Sequence, residues 1–427
     1  MGMQTDKLRL NVGGKIFETT ATTLANASRN SVFGAMFDDQ WNLQPRGVNE
    51  EYFIDRNPDC FSVLLDLLRT GKLHVPPNVP DKLLYNEALF YGLLDNLRSA
   101  KWGRFDDNHL EVTSSVRCHA PQDCTAIRAS PNGGCAVAHG SMVHVYNWML
   151  GKHAPLNLDY RIVSDIGWID SENVVVSAYQ RLEEGDVAMG LFSSSTGDLT
   201  HRYEVKGRTV GANLVVFASC IGWIGVWDQV SGKQIDFCSA HSDWPFCADK
   251  IEWLNGNSCL LASVLRRSDL RQMSLLDFRD RSTVWSWSNR DYRRKDVYDE
   301  KKCIYDAIAM EESNSICVAG GYGLGFIDLR STIGSIRWNP TNNGNKKHEH
   351  YFQYHPKLTL HGGHVFYSSY GNISVFSGPD YSILASRLAS NCGGSIRDFS
   401  IGGDRLFALH SEENVFNVWE TPPPPVI

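Results

Sequence analysis

The first hundred residues combine two hydrophobic periods. Residues 7–12 alternate polar and apolar side chains, the pair Gly13-Gly14 follows, and residues 16–20 form a second short run. Alternation with a period of two predicts half-buried strands. Two adjacent glycines tolerate the positive φ angles of a tight turn, so the sequence predicts a β-hairpin near the N-terminus.

A helical period follows a short predicted strand over residues 52–55. Asn57 is a favourable N-cap, Pro58 fits the first helical position, and Gly71 is a common terminator. Each fully buried apolar side chain would contribute roughly 1.5–3 kcal/mol, so this helix is expected to form the core of its domain. Its apolar residues recur with the spacing of one helix face, at Phe61, Leu64, Leu65 and Leu68.

Further helices are shorter or less periodic. The pattern predicts two short ones over residues 22–26 and 31–37, the second capped by Ser31. A last helix is predicted over residues 81–91, where Asp81 follows a proline-rich turn. Residues 98–108 are polar and contain glycine, so they are interpreted as a short linker that keeps two domains close together.

From residue 111 onwards short β-rich runs alternate with turn residues. An apolar or aromatic residue followed by a small or acidic one ends a strand seven times, each time after a hairpin turn and an apolar strand. The repeating unit is therefore a four-stranded antiparallel sheet, and such sheets must stack around an axis to bury their faces, as in a β-propeller. The copies are Tyr146-Asn147, Phe192-Ser193, Trp227-Asp228, Leu276-Asp277, Ile327-Asp328, Phe376-Ser377 and Trp419-Glu420.

The last repeat is incomplete. After Trp419 the chain continues with Glu-Thr-Pro-Pro-Pro-Pro-Val-Ile, and prolines cannot form a ladder strand. Residues 109–118 precede the first repeat and read as an additional strand. We therefore expect this N-terminal strand to complete the last blade and fasten the ring.

Composition narrows the class of protein. The 427 residues are 42% hydrophobic and 21% charged, which is typical of a folded globular protein of two or three domains. A net charge of −7 argues against a non-specific nucleic-acid binder, and no apolar run is long enough to span a membrane. Eleven scattered cysteines without a CxxC pair, and no secretory signal, predict reduced thiols in a cytoplasmic protein.

Four segments in the N-terminal region carry a family resemblance. Together they resemble the potassium-channel tetramerisation type of BTB/POZ domain over roughly residues 5–97, whereas the later repeats resemble WD40 proteins in pattern only, with one Trp-Asp pair. The predicted fold is multidomain: an α/β BTB/POZ domain (5–97), a linker (98–108), an all-β seven-bladed WD40-like propeller (109–421) and a disordered proline-rich tail (422–427). The segments are Leu8-Arg-Leu-Asn-Val-Gly-Gly14, Phe53-Ile-Asp-Arg-Asn-Pro58, Leu68-Arg-Thr-Gly71 and Glu87-Ala-Leu-Phe-Tyr-Gly92.

This resemblance implies a function and a binding surface. Proteins resembling this arrangement are adaptors of cullin-3 RING ubiquitin ligases, in which the BTB domain binds cullin and self-associates and the propeller recruits a substrate protein. The resemblance implies four or five copies per assembly. It also implies a cullin-binding surface in the loop after the second helix, at Phe37, Asp38, Asp39 and Trp41. An alternative is an oligomeric scaffold that regulates a channel or signalling complex without ubiquitination.

The substrate-binding surface is predicted from composition. One segment mixes aromatic and basic residues suited to acidic peptides, and a second, over residues 339–357, is rich in lysine and aromatic residues. Both are interpreted as insertions between blades, where loops commonly carry function. The residues of the first segment are Trp285, Trp287, Arg290, Tyr292, Arg293 and Arg294.

We expect no enzyme, cofactor or metal. The best metal candidate is a histidine cluster whose spacing fits no zinc template. The glycine-rich run at residues 320–325 lies between two strands, so it has no helix N-terminus to hold a phosphate. The Ser-rich run at residues 193–197 is a predicted hairpin rather than a nucleophile. The histidines are His348, His350, His355, His361 and His364.

Overall fold

The protein divides into two compact units. In the computed structural model, one unit comprises residues 1–106 with 421–427, and the other comprises residues 107–420. The structure describes residues 7–27, 31–36, 51–101, 105–118, 124–179, 187–203, 207–212, 216–220, 223–239, 248–265, 271–288, 304–320, 323–331, 335–339, 355–389 and 394–422.

The N-terminal unit packs helices on a three-stranded sheet of order β2-β1-β3. The predicted hairpin is confirmed: β1 pairs antiparallel with β2 across Gly13 and Gly14, which have φ of 54° and 89°. β3 pairs parallel with β1. The elements are β1 (Lys7–Val12), β2 (Lys15–Thr20), α1 (Ala21–Leu24), α2 (Val32–Met36), β3 (Glu51–Ile54), α3 (Pro58–Thr70), α4 (Asp81–Tyr91) and α5 (Leu94–Lys101).

Helix α3 forms the centre of this unit, as its period predicted. The Asn57 side chain accepts hydrogen bonds from the backbone N–H groups of Asp59 and Cys60, both at 3.0 Å. Gly71 ends the helix in the left-handed region, with φ of 70°. The predicted capping of α2 is also confirmed, because the backbone N–H of Gly34 donates to Ser31 Oγ at 2.9 Å. All four predicted core residues of α3 are buried, namely Phe61, Leu64, Leu65 and Leu68.

Three of the four family-like segments meet at one junction. Arg56 binds Glu87 through two contacts, Nη2 to Oε1 at 2.9 Å and Nε to Oε2 at 3.1 Å. Its guanidinium also lies 4.1 Å from the centre of the Phe90 ring. A Cβ atom at Gly13 would lie 2.4 Å from the backbone oxygen of Arg56, so this position needs glycine. These three segments are distant in the sequence, and their side chains and backbone contact one another in the fold.

The predicted last helix is followed by another. Helix α4 ends at Gly92 in the left-handed region, and α5 then continues to Lys101. Residues 98–101 are thus helical, although the sequence pattern placed them in the linker. The polar composition of α5 concealed a helix whose buried residues are Leu97 and Arg98.

The described residues of the second unit form seven four-stranded sheets, which we number as blades 1–7. The first strands of successive blades contact one another, including those of blades 7 and 1, so they form the inner wall of a closed ring. All seven predicted repeats end the third strand of a blade. The predicted closure is confirmed because the N-terminal strand β4 pairs antiparallel with the third strand of blade 7.

The strand bounds show the regular succession of blades. Blade 7 takes its outer strand from β4 (Glu111–Arg117). The other strands are β5 (Cys124–Ala129), β6 (Cys135–His139), β7 (Met142–Tyr146) and β8 (Leu156–Asn157) in blade 1; β9 (Ile162–Trp168), β10 (Asn173–Tyr179), β11 (Val187–Ser193) and β12 (Leu199–Tyr203) in blade 2; β13 (Gly207–Ala212), β14 (Val216–Cys220), β15 (Trp223–Trp227) and β16 (Gln234–Ser239) in blade 3; β17 (Lys250–Leu254), β18 (Cys259–Val264), β19 (Gln272–Asp277) and β20 (Ser282–Ser288) in blade 4; β21 (Ile304–Met310), β22 (Ser315–Gly320), β23 (Gly323–Asp328) and β24 (Arg337–Trp338) in blade 5; β25 (Leu358–His361), β26 (His364–Ser369), β27 (Asn372–Ser377) and β28 (Ile383–Ala389) in blade 6; and β29 (Ile396–Gly402), β30 (Arg405–His410) and β31 (Val415–Glu420) in blade 7.

Candidate protein-interaction site

Three aspartates on the inner wall are positioned by the same backbone device. In β9, β21 and β29 the pairing register shifts by one residue immediately before Asp165, Asp306 and Asp398. Each carboxylate then accepts a hydrogen bond from the backbone N–H of the following residue, at 2.9–3.1 Å. A bulge re-aims the side chain of the strand that carries it, so the inner strands place these carboxylates at the contacts between blades.

Arg128 joins three blades. From β5 its Nη1 lies 2.6 Å from Asp398 Oδ2 in blade 7, and its Nη2 lies 2.8 Å from Asp165 Oδ1 in blade 2. Asp398 also accepts the backbone N–H of Ile127 at 3.1 Å. One guanidinium therefore bridges carboxylates on both neighbouring blades, with the fork geometry that suits arginine.

A second charged group lies on blades 4, 5 and 6. Lys250 Nζ is 2.8 Å from Asp306 Oδ1, while Asp306 Oδ2 accepts the backbone N–H of Leu358 at 2.8 Å. Glu252 accepts the backbone N–H of Ala309 at 3.2 Å. We call six charged residues of the inner strands the axial cluster: Arg128, Asp165, Lys250, Glu252, Asp306 and Asp398.

Burial and ion pairing act in opposite senses on the pKa values of four members of the axial cluster. Burial alone would lower the pKa of Arg128 and Lys250, but the neighbouring carboxylates raise both, so both stay charged. Burial would raise the pKa of Asp398, and Arg128 lowers it instead. Burial raises the pKa of Glu252 despite the opposing charge of Lys250.

This arrangement leaves two cations accessible to a partner. The side chains of Arg128 and Lys250 remain 33% and 32% exposed, so they can contact a partner, while the aspartates they bind are nearly covered. Charged groups on a rigid ring favour recognition of a polar or charged segment of another protein.

The N-terminal unit presents two exposed apolar patches on different elements. On the outer face of the sheet, Ile16 and Phe53 both lie beside Asn11 in the pairing register and are 47% and 65% exposed. On α4, Leu83, Leu89 and Phe90 are exposed as well. Patches of this kind are typical of contact surfaces between proteins.

The predicted binding residues are only partly described. The cullin-binding candidates Phe37, Asp38, Asp39 and Trp41 lie outside the described residues. The same holds for Arg290, Tyr292, Arg293 and Arg294, and for residues 340–354 of the second segment.

The two described tryptophans correct one expectation. Trp285 and Trp287 belong to β20, the outer strand of blade 4, not to an insertion. They pair with Leu275 and Met273 and pack against the apolar cluster shared with blade 5. Their alternation with serine reflects this half-buried strand, so packing accounts for them without a ligand.

The histidines named as the best metal candidate from the sequence, although no metal was expected there, do not form a common site among their described members. His355 stacks on Tyr305 with ring centres 4.9 Å apart, and His364 Nδ1 lies 2.5 Å from Asp107 Oδ2. Within the described ranges, the histidine, cysteine and acidic side chains close enough to share a metal ion are Cys118, Cys124 and His139 instead.

None of the axial-cluster residues was predicted from the sequence as a binding residue. Asp306 and Asp398 each stand two residues after an isoleucine that opens the inner strand, and this Ile-x-Asp spacing is a usable signal. The Ile-x-Asp spacing indicates an axial aspartate only in the innermost strand of a blade. It could therefore be recognised only after the blades were aligned.

Comparison with known proteins decides the family. A model described as "At2g24240-like, C-terminal beta propeller" matches residues 118–421, and a BTB/POZ domain model matches residues 8–100. The chain belongs to this family of BTB/POZ–propeller proteins. Its relatives include BTB/POZ domain-containing protein At2g24240 of Arabidopsis thaliana, 56% identical over 100% of both chains, and At4g30940 of the same plant, 54% identical over 100% of both.

More distant matches agree with each half of this family's architecture. BTB/POZ domain-containing protein KCTD9 of Homo sapiens is 40% identical over 97 residues, covering 22% of this chain and 24% of that protein. A chain in the crystal structure of the mitotic checkpoint complex matches with a TM-score of 0.53 at 13% identity, over 74% of this chain and 93% of that one. This likeness concerns the fold alone. Every helix within the described ranges is too short or too polar to cross a lipid bilayer.

Proposed function

We propose that this protein is a substrate-recruiting adaptor of a cullin-3 RING ubiquitin ligase and acts in the cytoplasm. The observation that carries the proposal is the union in one chain of a BTB/POZ domain and a propeller, both of which typically serve as interaction modules. The BTB domain would bind cullin and self-associate, and the propeller would hold the protein to be modified. Ubiquitin transfer would then be catalysed by the RING partner.

Self-association is supported by the two apolar patches of the N-terminal unit. The sheet patch (Ile16, Phe53) and the α4 patch (Leu83, Leu89, Phe90) lie on different secondary-structure elements and contain different residues. Two different patches favour a head-to-tail contact, and head-to-tail contacts that close generate rings. A ring of four or five copies would present several propellers and increase the avidity for a multivalent substrate.

The substrate is proposed to bind at the axial cluster. Arg128 and Lys250 each keep about a third of their side chains exposed, beside carboxylates on neighbouring blades. A polar segment with both signs of charge would match this surface. The basic and aromatic residues 290–294 remain a second predicted contact for the same substrate.

The first test addresses the oligomer. Phe53→Asp in the full chain places a charge in the sheet patch, and we expect the mass measured by light scattering to fall from that of a ring to that of a monomer. Lys72→Asp, at an exposed position after α3, is the matched control and should leave the mass unchanged. A native chain that is monomeric at micromolar concentration would contradict self-association.

The second test addresses cullin. Calorimetry of the full chain with an N-terminal cullin-3 fragment is expected to give a binding heat that Phe37→Ala combined with Trp41→Ala abolishes. Lys72→Ala should bind as the native chain does. Absence of heat with the native chain would reject cullin binding, and unchanged heat with the double variant would reject the predicted loop.

The length of the chain between the two units favours a second candidate function. Many BTB adaptors have additional helices after the domain that complete the cullin groove. Here α5 ends at Lys101 and β4 begins at Glu111, which leaves too few residues for a helical pair at 1.5 Å rise per residue. An oligomeric scaffold for a channel or signalling complex would need no such helices. The scaffold hypothesis predicts an oligomer in light scattering and no binding heat with the cullin-3 fragment in calorimetry.

A further inference from the structure

A sulfur-rich cluster lies where the ring closes. The described cysteine and histidine ligand atoms of Cys118, Cys124 and His139 all lie within 4.8 Å of one another, and all three residues are buried. We call these three residues the seam cluster. They lie in the apolar contact between blades 7 and 1, among residues such as Phe407 and Phe416.

The backbone brings the three residues together from three strands. Cys118 directly follows the closing strand β4, and its N–H donates to the backbone oxygen of Asn414 at 2.7 Å. Cys124 opens β5 and is the register partner of His139, the last residue of β6. The Cys124 sulfur lies 3.1 Å from His139 Nδ1. The convergence therefore depends on the ring being closed.

We propose that the seam cluster binds a zinc ion. Two thiolates and one imidazole form a ligand set that binds Zn²⁺ in preference to hard cations such as Mg²⁺ and Ca²⁺. In a tetrahedral site with bonds of about 2.0–2.3 Å, ligand atoms are separated by roughly 3.3–3.8 Å. The ligand atoms of the seam cluster lie within 4.8 Å of one another, so side-chain adjustments of about 1 Å would bring them to the spacing that zinc requires. Burial excludes the competing water ligands that would otherwise solvate the ion.

A further buried imidazole, that of His144, lies outside the 4.8 Å group but next to His139, and we assign it as the fourth ligand after a side-chain rotation. His144 pairs with Val137 in the register of β6 and β7, which puts it on the same sheet face as His139 two residues further on. The two rings have centres 5.1 Å apart. His144 is only 4% exposed, and its Nδ1 atom has no hydrogen-bond partner among the described residues. A buried polar atom without a partner requires an explanation, and a bound ion supplies one.

The proposed ion would cross-link blade 7 to blade 1. Cys118 extends from the strand that completes blade 7, whereas Cys124 and His139 belong to blade 1. Because the ligands are placed by the closed ring, zinc would bind the folded chain in preference to the unfolded one and stabilise it by mass action.

The test uses the full chain, stripped of metal under reducing conditions and titrated with Co²⁺. We expect one equivalent to bind with the visible absorption of tetrahedral, thiolate-bound cobalt, and Zn²⁺ to displace it and raise the melting temperature. Cys118→Ser and Cys124→Ser should each abolish this absorption, and His144→Ala should weaken binding by about 10-fold or more.

The matched control is Cys135→Ser. Cys135 is buried in the same contact between blades but lies outside the seam cluster, so its variant should keep the cobalt spectrum. Protection of Cys118 and Cys124 from alkylation by added Zn²⁺ in the native chain provides a readout that needs no variant. A native chain that shows no tetrahedral cobalt spectrum and no zinc protection would overturn the proposal.

Discussion

The contact between blades 4 and 5 and the contact between blades 7 and 1 use the same axial device but differ away from the axis. Each has a cation on one blade bound to an aspartate on the other, Lys250 with Asp306 and Arg128 with Asp398. Outside the axis, blades 4 and 5 pack tryptophans of β20 and β24 against aliphatic residues. Blades 7 and 1 also share an apolar cluster, and in addition they have the seam cluster and a buried ion pair of blade 7 whose arginine reaches blade 1.

The buried ion pair belongs to the closing side of the ring. Arg405 in β30 binds Glu420 in β31, and both are nearly fully buried. The same guanidinium donates to the backbone oxygens of Gly133 and Trp148 in blade 1, the first at 3.0 Å. It also lies 4.9 Å from the centre of the Trp148 ring. One side chain thus fixes blade 7 to blade 1 in a single geometry.

Chain connectivity explains the difference. Blades 4 and 5 are joined by the chain itself, so non-directional apolar packing is enough to hold them together. Blades 7 and 1 are joined by residues more than 250 positions apart, for example Arg405 and Gly133. Their association has to offset the entropy of closing a long loop, and directional buried contacts specify the register in which it closes.

The largest expected effect comes from removing Arg405. Arg405→Ala leaves Glu420 buried without its partner and removes a donor from two carbonyl oxygens, so we expect a loss of about 3–5 kcal/mol in the free energy of unfolding. Urea unfolding followed by tryptophan fluorescence measures it. Arg330→Ala removes an ion pair to Asp328 whose two side chains are 73% and 53% exposed, and should have no measurable effect. Equal losses in both variants would refute the distinction between closing and exposed pairs.

A matched pair of aspartates separates closure from ordinary packing. Asp398→Ala and Asp306→Ala each remove a carboxylate that binds a cation and a backbone N–H of a neighbouring blade. We expect each to lower the free energy of unfolding by about 2–4 kcal/mol, because a partly covered cation loses a carboxylate and a buried backbone donor loses its acceptor.

Local opening should distinguish the two aspartate variants. Only Asp398→Ala weakens the contact that closes the ring, so hydrogen exchange of the amides of β4 and β31 should accelerate in that variant alone. Acceleration of the same amides by Asp306→Ala would show that the ring opens cooperatively at every contact rather than at the closing one.

Sequence reasoning reached the architecture because it depends on local periodicity. Helix α3 follows from a spacing of three and four residues with its own cap, and each blade follows from a strand end that recurs seven times. The closing strand followed from a strand count, since the last blade needed a partner that the proline-rich end could not provide. Helix α5 was missed because its two buried residues, Leu97 and Arg98, do not make an apolar stripe.

The candidate sites depend on pairing that the sequence does not display. The bulges before Asp306 and Asp398 exist only in register with a neighbouring strand. Cys118 and His139 meet only when blade 7 lies against blade 1, and their spacing fits no zinc template. The histidines that looked like a metal site by proximity in sequence are placed in different contacts, for example His355 on Tyr305.

The smallest expected effect concerns pH. His410 is buried, its Nδ1 lies 3.0 Å from the Gly394 oxygen, and its Nε2 lies 2.8 Å from Asn417 Nδ2. A neutral ring with its proton on Nδ1 donates to Gly394 and accepts from Asn417. Asn417 in turn accepts from Ser115 on β4 at 2.6 Å, so the chain of hydrogen bonds reaches the closing strand. Burial lowers the pKa of His410, although Gly394, Glu413 and Glu412 oppose the shift.

The sign of the effect follows from linkage. A histidine whose pKa is lower in the folded state binds fewer protons there than in the unfolded state, so its contribution is complete above the unfolded value of about 6.5 and is lost as the pH falls below it. We expect the melting temperature to drop between about pH 7.5 and pH 5.5, and His410→Gln to reduce that drop. His144 and His361, whose pKa values burial also lowers, contribute to the total, so the decisive quantity is the difference between native chain and variant. A drop of the same size in both would mean that protonation of His410 does not loosen the strand that closes the ring.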